Sequence, residues 1–221
     1  MIRVLCSLVF VLGSAACLFA QTHMIPLQTT IPEEVLAGTP PAVLARLFPD
    51  LVPPPKQAPR LLVPKGTTNL ALHKKVTSSD ALPLIGTLSF VTDGKKKGTG
   101  GTFVELGPMK QWVQIDLGKR STVHAVYVWH YFAEARSYRD VLIQVADDAA
   151  CTKDVHTIYN NDQDNSLHKG IGRDRPYIET YYGKLIDAKG VKGRYVRLYS
   201  SGNTANDVNH YVEVEVFGVV R

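Results

Sequence analysis

The stretch Gln111-Trp112-Val113-Gln114-Ile115-Asp116-Leu117-Gly118 sets apolar Val113, Ile115 and Leu117 in alternation with Gln114 and Asp116. A period of two describes a strand with one face in a core and the other toward water. The same pattern recurs in Tyr195-Val196-Arg197-Leu198-Tyr199, opened by Gly193-Arg194, and in Tyr211-Val212-Glu213-Val214-Glu215-Val216-Phe217-Gly218. Three such strands, far apart in the chain, require one shared core.

Outward from these strands, short β-rich runs alternate with turn clusters. Strands are expected at residues 89–92, 103–106, 112–117, 122–130, 140–146, 155–159, 178–182, 195–200 and 211–219. Residues 122–130 are apolar on both faces, which leaves their register open. No long amphipathic helix competes, so the expectation is an all-β antiparallel sandwich.

Composition sets the outer limits. With 45% hydrophobic and 20% charged residues among 221, the chain has material for a normal core, which excludes disorder of the whole. The 25 basic and 20 acidic residues are interspersed, and Lys95-Lys96-Lys97 is the one basic run. It reads as a solvated loop tip, and nucleic acid is not an expected partner.

The N-terminus reads as a signal peptide over residues 1–20: Arg3, then apolar residues 4–12, then Gly13-Ser14-Ala15-Ala16. Export follows, to an extracellular, periplasmic or cell-surface location. Lipidation of Cys17 ranks lower, because Ser14 stands where a lipoprotein signal carries a large aliphatic residue. An uncleaved anchor ranks third, the apolar stretch being barely long enough to span a bilayer. Cleavage removes Cys6 and Cys17 and leaves Cys151 without a disulfide partner. Ala149-Ala150-Cys151-Thr152 offers no nucleophile elbow, so Cys151 reads as a small packing residue.

Ten of the thirteen prolines fall between Pro26 and Pro64. Residues 21–65 therefore read as a Pro-rich, semi-rigid spacer. It holds one short expected helix, with Thr39 as N-cap, Pro40 at the first position, and Leu44, Leu47 and Phe48 on one face. The folded domain is expected at residues 66–221.

Asn69-Leu70-Ala71 before Val76-Thr77-Ser78-Ser79, Val91-Thr92-Asp93-Gly94, residues 112–118, residues 193–198 and residues 213–218 together resemble the discoidin domain, also called the coagulation factor V/VIII type C domain. Its galactose-binding-like superfamily includes carbohydrate-binding module family 32. The resemblance covers roughly residues 66–221 and implies an antiparallel jelly-roll β-sandwich. One such fold serves many ligands, so function must come from the site.

Catalytic motifs are missing from the sequence. There is no His-Glu-x-x-His and no Gly-x-Ser-x-Gly, and Gly98-Thr99-Gly100-Gly101 is followed by Thr102-Phe103 instead of a Walker Lys-Ser/Thr. Asp147 and Asp148 are adjacent and read as a turn, since an acid/base pair must converge on one bond. The expectation is a non-enzyme.

The resemblance implies a structural calcium held by Asp93, Thr102 and Glu213, with loop carbonyls completing the oxygens that this hard ion prefers. The alternative is a plain turn in which Asp93 bonds nearby amides. A rival acidic loop, residues 160–165, fails the EF-hand pattern: counted from Asp162, the sixth position is Leu167 and the twelfth Arg173. It reads as an Asx-rich turn.

The resemblance also implies a ligand site on loops at one end of the sandwich. Here it would draw on His130, Arg136, Tyr138, Arg139, Asn209 and His210. Arg forks and Asn amides suit adjacent hydroxyls, and an exposed ring supplies apolar area at low entropic cost. Taken singly, each also has a structural reading. The sequence shows no evident hydrophobic spike, so membrane insertion is not expected. Two functions stay open: an exported module that binds carbohydrate on an extracellular or envelope glycan, or an interaction module that holds another envelope protein without sugar.

Overall fold

The structure is a computed structural model and describes residues 23–220. The expected signal peptide and Cys17 lie outside the described residues. The strands are β1 (Met24–Pro26), β2 (Leu62–Pro64), β3 (Thr68–Asn69), β4 (Val76–Ser78), β5 (Val104–Pro108), β6 (Lys110–Trp129), β7 (Leu142–Ala146), β8 (His156–Asn160), β9 (Lys184–Ser201), β10 (Val208–Tyr211) and β11 (Glu213–Val220). One helix, α1, spans Pro41–Leu47. Among the described residues, no helix is long and apolar enough to cross a membrane.

All the strand pairs are antiparallel. A seven-stranded sheet runs β3-β11-β6-β9-β7-β8, with β4 also on β6; β10 pairs with β5, and β1 with β2. Strands β6 and β9 carry it: β6 joins the expected strands 112–117 and 122–130, and β9 extends the expected strand 195–200 back to Lys184. Their register shifts between Asp116 and Ser121, where Gly118 adopts φ +83°. A bulge with a left-handed glycine bends the strand without ending it.

Val113, Ile115 and Leu117 are buried as the alternation predicts. Gln114, expected at a solvated face, is buried too. Arg197 Nε donates to its Oε1 at 2.7 Å, and its Nε2 donates to Ala149 O at 3.1 Å. Asp148 accepts from the Thr152 and Lys153 amides at 2.9 and 2.7 Å, which makes that carboxylate a turn brace.

Two expected strands are absent. Residues 88–92 form a 3-10 turn, in which Leu88 and Val91 meet the core at the three-residue repeat. Residues 178–182 form a turn closed by Gly183 N–H donating to Thr180 O at 2.8 Å. In both, four or five β-prone residues are too few to separate strand from turn.

The proline-rich stretch lies on the sandwich. Leu27, Ile31 and Leu61 pack on a cluster containing Ala125, Tyr127, Trp129 and Phe217, while Val126 and Val128 face the main core. This explains why residues 122–130 are apolar on both faces: one face meets the opposite layer and the other meets the arm. Lys96 fastens the arm from the far side. Its ammonium is 2.8 Å from Glu215 Oε1 and 4.4 Å from the Trp129 ring centroid, and it donates to Thr29 Oγ1 and Thr30 O at 2.8 and 2.9 Å. The middle lysine of the basic run is thus buried. Helix α1 is capped by Pro40, one residue later than expected, with Pro41 in its first turn. Of the expected face only Leu44 is buried, against Ala135 and Ile178, with Ala45 packed beside it. Phe48 terminates the helix at φ −128° and so leaves its stripe.

Candidate functional site

The residues expected to bind ligand separate into an interior set and a surface set. His130 is fully buried, with Nδ1 3.0 Å from Glu179 Oε2 and 3.2 Å from the Tyr177 hydroxyl. Its ring stacks on Tyr138 at 4.3 Å. The Tyr138 hydroxyl meets His210 Nδ1 at 3.0 Å, and His210 Nε2 meets Glu105 Oε2 at 3.0 Å. Burial first, and then Arg136 and His130, push His210 down to about 3. A neutral His210 fits both contacts: Nε2–H donates to Glu105, and Nδ1 accepts from Tyr138.

Asn209 is equally enclosed. Its Oδ1 accepts from Gly202 N–H at 2.8 Å, and its Nδ2 donates to Gly107 O and Met109 O at 3.0 and 2.8 Å. The Arg136 guanidinium is 4% exposed, pairs with Glu134 at 2.6 Å and lies over the Tyr131 ring at 4.7 Å. These side chains brace the loops. Arg139 alone of the six reaches solvent, its side chain 51% exposed; it donates to Asn203 O and lies 3.4 Å from Asp207 Oδ1.

Arg139 stands on the wall of an open groove of about 360 Å³ at the loop end. Ser137, Asp140, Gln163, Asp164 and Thr204 share the lining with it. The walls are tied together before any ligand arrives. Arg139 N–H donates to Gly202 O, Ser201 N–H to Arg139 O and Thr204 N–H to Ser137 O, at 2.9–3.1 Å. Val141 N–H donates to Asn161 Oδ1 at 2.6 Å, which fixes the third loop. A cation fork, carboxylates, an amide and hydroxyls on rigid loops match a ligand rich in hydroxyl groups.

Asp140, Gln163 and Asp164 were not singled out as ligand residues in the sequence. The signal was the Asx-rich run at 160–165, whose turn character the hydrogen bonds bear out. Asp162 accepts from the Ser166 and Leu167 amides, both at 2.9 Å, and Asp164 from the Ser166 amide at 3.0 Å. Burial raises the Asp140 carboxyl, and the neighbouring Asp162 and Asp164 add to the shift.

At the cation loop, Asp93 Oδ1 accepts from Lys95 N–H at 2.8 Å and Thr102 Oγ1 donates to Thr99 O at 2.7 Å. Glu213 Oε2 accepts from Gly94 N–H at 3.1 Å, which brings the last strand to the Asp-Gly turn. Glu213 Oε1 is buried without a partner. Burial, reinforced by Glu215 and Asp93, pushes this carboxyl up to about 9. An orphaned buried carboxylate oxygen beside a second carboxylate fits a hard cation.

Residues 90–173 match the family model described as NedA-like, galactose-binding domain, of the F5/F8 type C group. Over those residues the chain is similar to that galactose-binding domain. No curated protein matches it. Among solved structures, a family 89 glycoside hydrolase from Clostridium perfringens aligns at 16% identity and TM-score 0.52, over 69% of this chain and 15% of the hydrolase. Truncated AlyQ, with its CBM32 and alginate lyase domains, aligns at 21% identity and TM-score 0.50, over 70% of this chain and 34% of AlyQ. A fucose binding module from Streptococcus pneumoniae aligns at 19% identity over 67% of this chain and 96% of the module, with a TM-score of 0.47. The chain spans about a seventh of the hydrolase and a third of the AlyQ chain. At these identities the first two likenesses establish the fold.

Proposed function

We propose that this protein is an exported, non-catalytic module that binds carbohydrate in the loop-end groove. The observation that carries the reading is the groove itself, where Arg139, Asp140, Gln163 and Asp164 line an open space on hydrogen-bonded loops. The likeness of residues 90–173 to a galactose-binding domain supports it. Asp93, Thr102 and Glu213 are proposed to hold a structural calcium, which would neutralise the Glu213 carboxylate and tie its loop to the last strand.

A glycan array tests the reading. Wild type should bind a defined subset, and Arg139→Ala and Asp164→Ala should abolish that binding while the protein stays folded. Silence across a diverse array rejects carbohydrate.

One observation favours a second reading, docking on another envelope protein. Leu82, Leu84 and Met109 are 84%, 60% and 75% exposed. Their loops are joined by Gly107 N–H donating to Asp80 Oδ2 at 2.8 Å and Leu84 N–H to Glu105 O at 2.7 Å. The structure thus presents projecting apolar side chains that the sequence did not reveal, and such side chains on braced loops suit a protein partner. Glutamine at Leu82 and Leu84 would remove partner capture and leave the array unchanged.

A further inference from the structure

The groove lacks an exposed ring. Tyr138, the one aromatic residue of its lining, is 2% exposed. A pyranose presents C–H groups on a face and hydroxyls at its edge, so a site in water needs an apolar platform as well as a polar rim. Besides the buried Tyr138, the apolar residues of its lining are Leu51 and Pro176, and Leu51 also packs on the cluster of Leu44, Ala135 and Ile178.

Leu51 belongs to the proline-rich arm. Val52 N–H donates to Pro176 O at 2.8 Å, Ile178 N–H donates to Val52 O at 3.4 Å, and the Arg175 guanidinium donates to Asp50 O at 3.0 Å. Leu51 N–H returns to Phe48 O at 3.1 Å, and α1 is anchored by Leu44. Chain from outside the expected 66–221 domain is therefore held as a wall of the groove.

We infer that the arm completes the ligand site, Leu51 and Pro176 forming the surface on which the apolar face of a bound sugar ring rests. This inference rests on the carbohydrate reading and extends it. The proline-rich segment is then a contributor to specificity and affinity, because the polar rim alone offers bonds that water also offers.

The experiment uses the full mature chain and the tightest-binding glycan from the array, by calorimetric titration well below every variant's melting temperature. Leu51→Asn should weaken binding on the order of tenfold, the scale of losing one aliphatic contact. Leu51→Phe, which supplies a ring, should bind at least as tightly as wild type; a purely structural Leu51 would give no such retention, since the larger side chain would disturb the packing. A variant-free measurement runs beside these. On titration with the same glycan, the Leu51 methyl resonances should shift with the saturation curve of the Arg139 side-chain N–H, while the exposed Leu47 methyls stay still. Unmoved Leu51 methyls alongside a saturating Arg139 signal overturn the inference and leave the carbohydrate reading intact. A wild type silent on the array overturns the reading itself.

Discussion

Two polar regions of this molecule invert what their residue types suggest. Glu179–His130 and Tyr138–His210–Glu105 contain the histidines, tyrosine and carboxylates usually assigned to ligand chemistry, yet all but the partly exposed Glu105 are shut into the sandwich. The groove at Arg139 is built of common surface residues and is open. Side-chain chemistry states what a residue can bind; burial decides what it meets. An enclosed His meets only its own fold, whereas a half-exposed Arg faces solvent and a ligand.

The largest effect expected from this contrast follows cutting the interior pair. His130→Ala or Glu179→Ala removes one member of a fully buried pair and should cost about 3–5 kcal/mol. Urea unfolding measures it, and a loss below about 1 kcal/mol would mean that the interior set is not structural.

The cation loop extends the contrast to a buried carboxylate whose proposed partner is an ion. Calcium at a hundred times its dissociation constant should stabilise the protein by about 2.7 kcal/mol, and Asp93→Ala should erase that gain. Thermal melts in calcium and in chelator, after elemental analysis for tightly held ion, decide it. In chelator the sign is fixed by Glu213, whose pKa is raised from 4.5 to about 9. The folded state keeps this proton where the unfolded chain has lost it, so stability should fall as pH rises through that window. Glu213→Gln should flatten the slope.

His210 should act in the opposite direction on the acid side. Its folded pKa of about 3 lies below the ordinary 6.5, so its contribution is complete above 6.5 and is lost as pH falls toward 3. One such group gives at most about 1.4 kcal/mol per pH unit. The groups facing it are Tyr138, Glu105, Arg136 and His130. His210→Gln should reduce the acid slope, and an unchanged slope would assign it to other groups.

The smallest stability effect belongs to the groove. Arg139→Ala should change unfolding free energy by no more than about 0.5 kcal/mol, since its contacts are exposed. Its array binding should nevertheless disappear. A large stability loss would place Arg139 with the interior set and remove the distinction between the two regions.

By itself the sequence determined the antiparallel sandwich, because Val113, Ile115 and Leu117 and the similar runs in β9 and β11 can hide their apolar sides only against one another. It also marked the Asp93 turn and the Asx-rich loop, whose hydrogen bonds are local. Tertiary structure decided what distant pieces cover. Residues 122–130 announced two apolar faces, but only the folded chain shows the arm's Leu27, Ile31 and Leu61 on the second. The family resemblance placed His130, Arg136, Tyr138, Asn209 and His210 in a ligand site, and for most of them partners as far as 105 residues away took them into the interior. Leu51 carried no local sign of a role, since its neighbour Pro176 comes from a loop more than a hundred positions on. Periodicity reports a residue's own strand, while burial and site membership depend on long-range contacts that no short window contains.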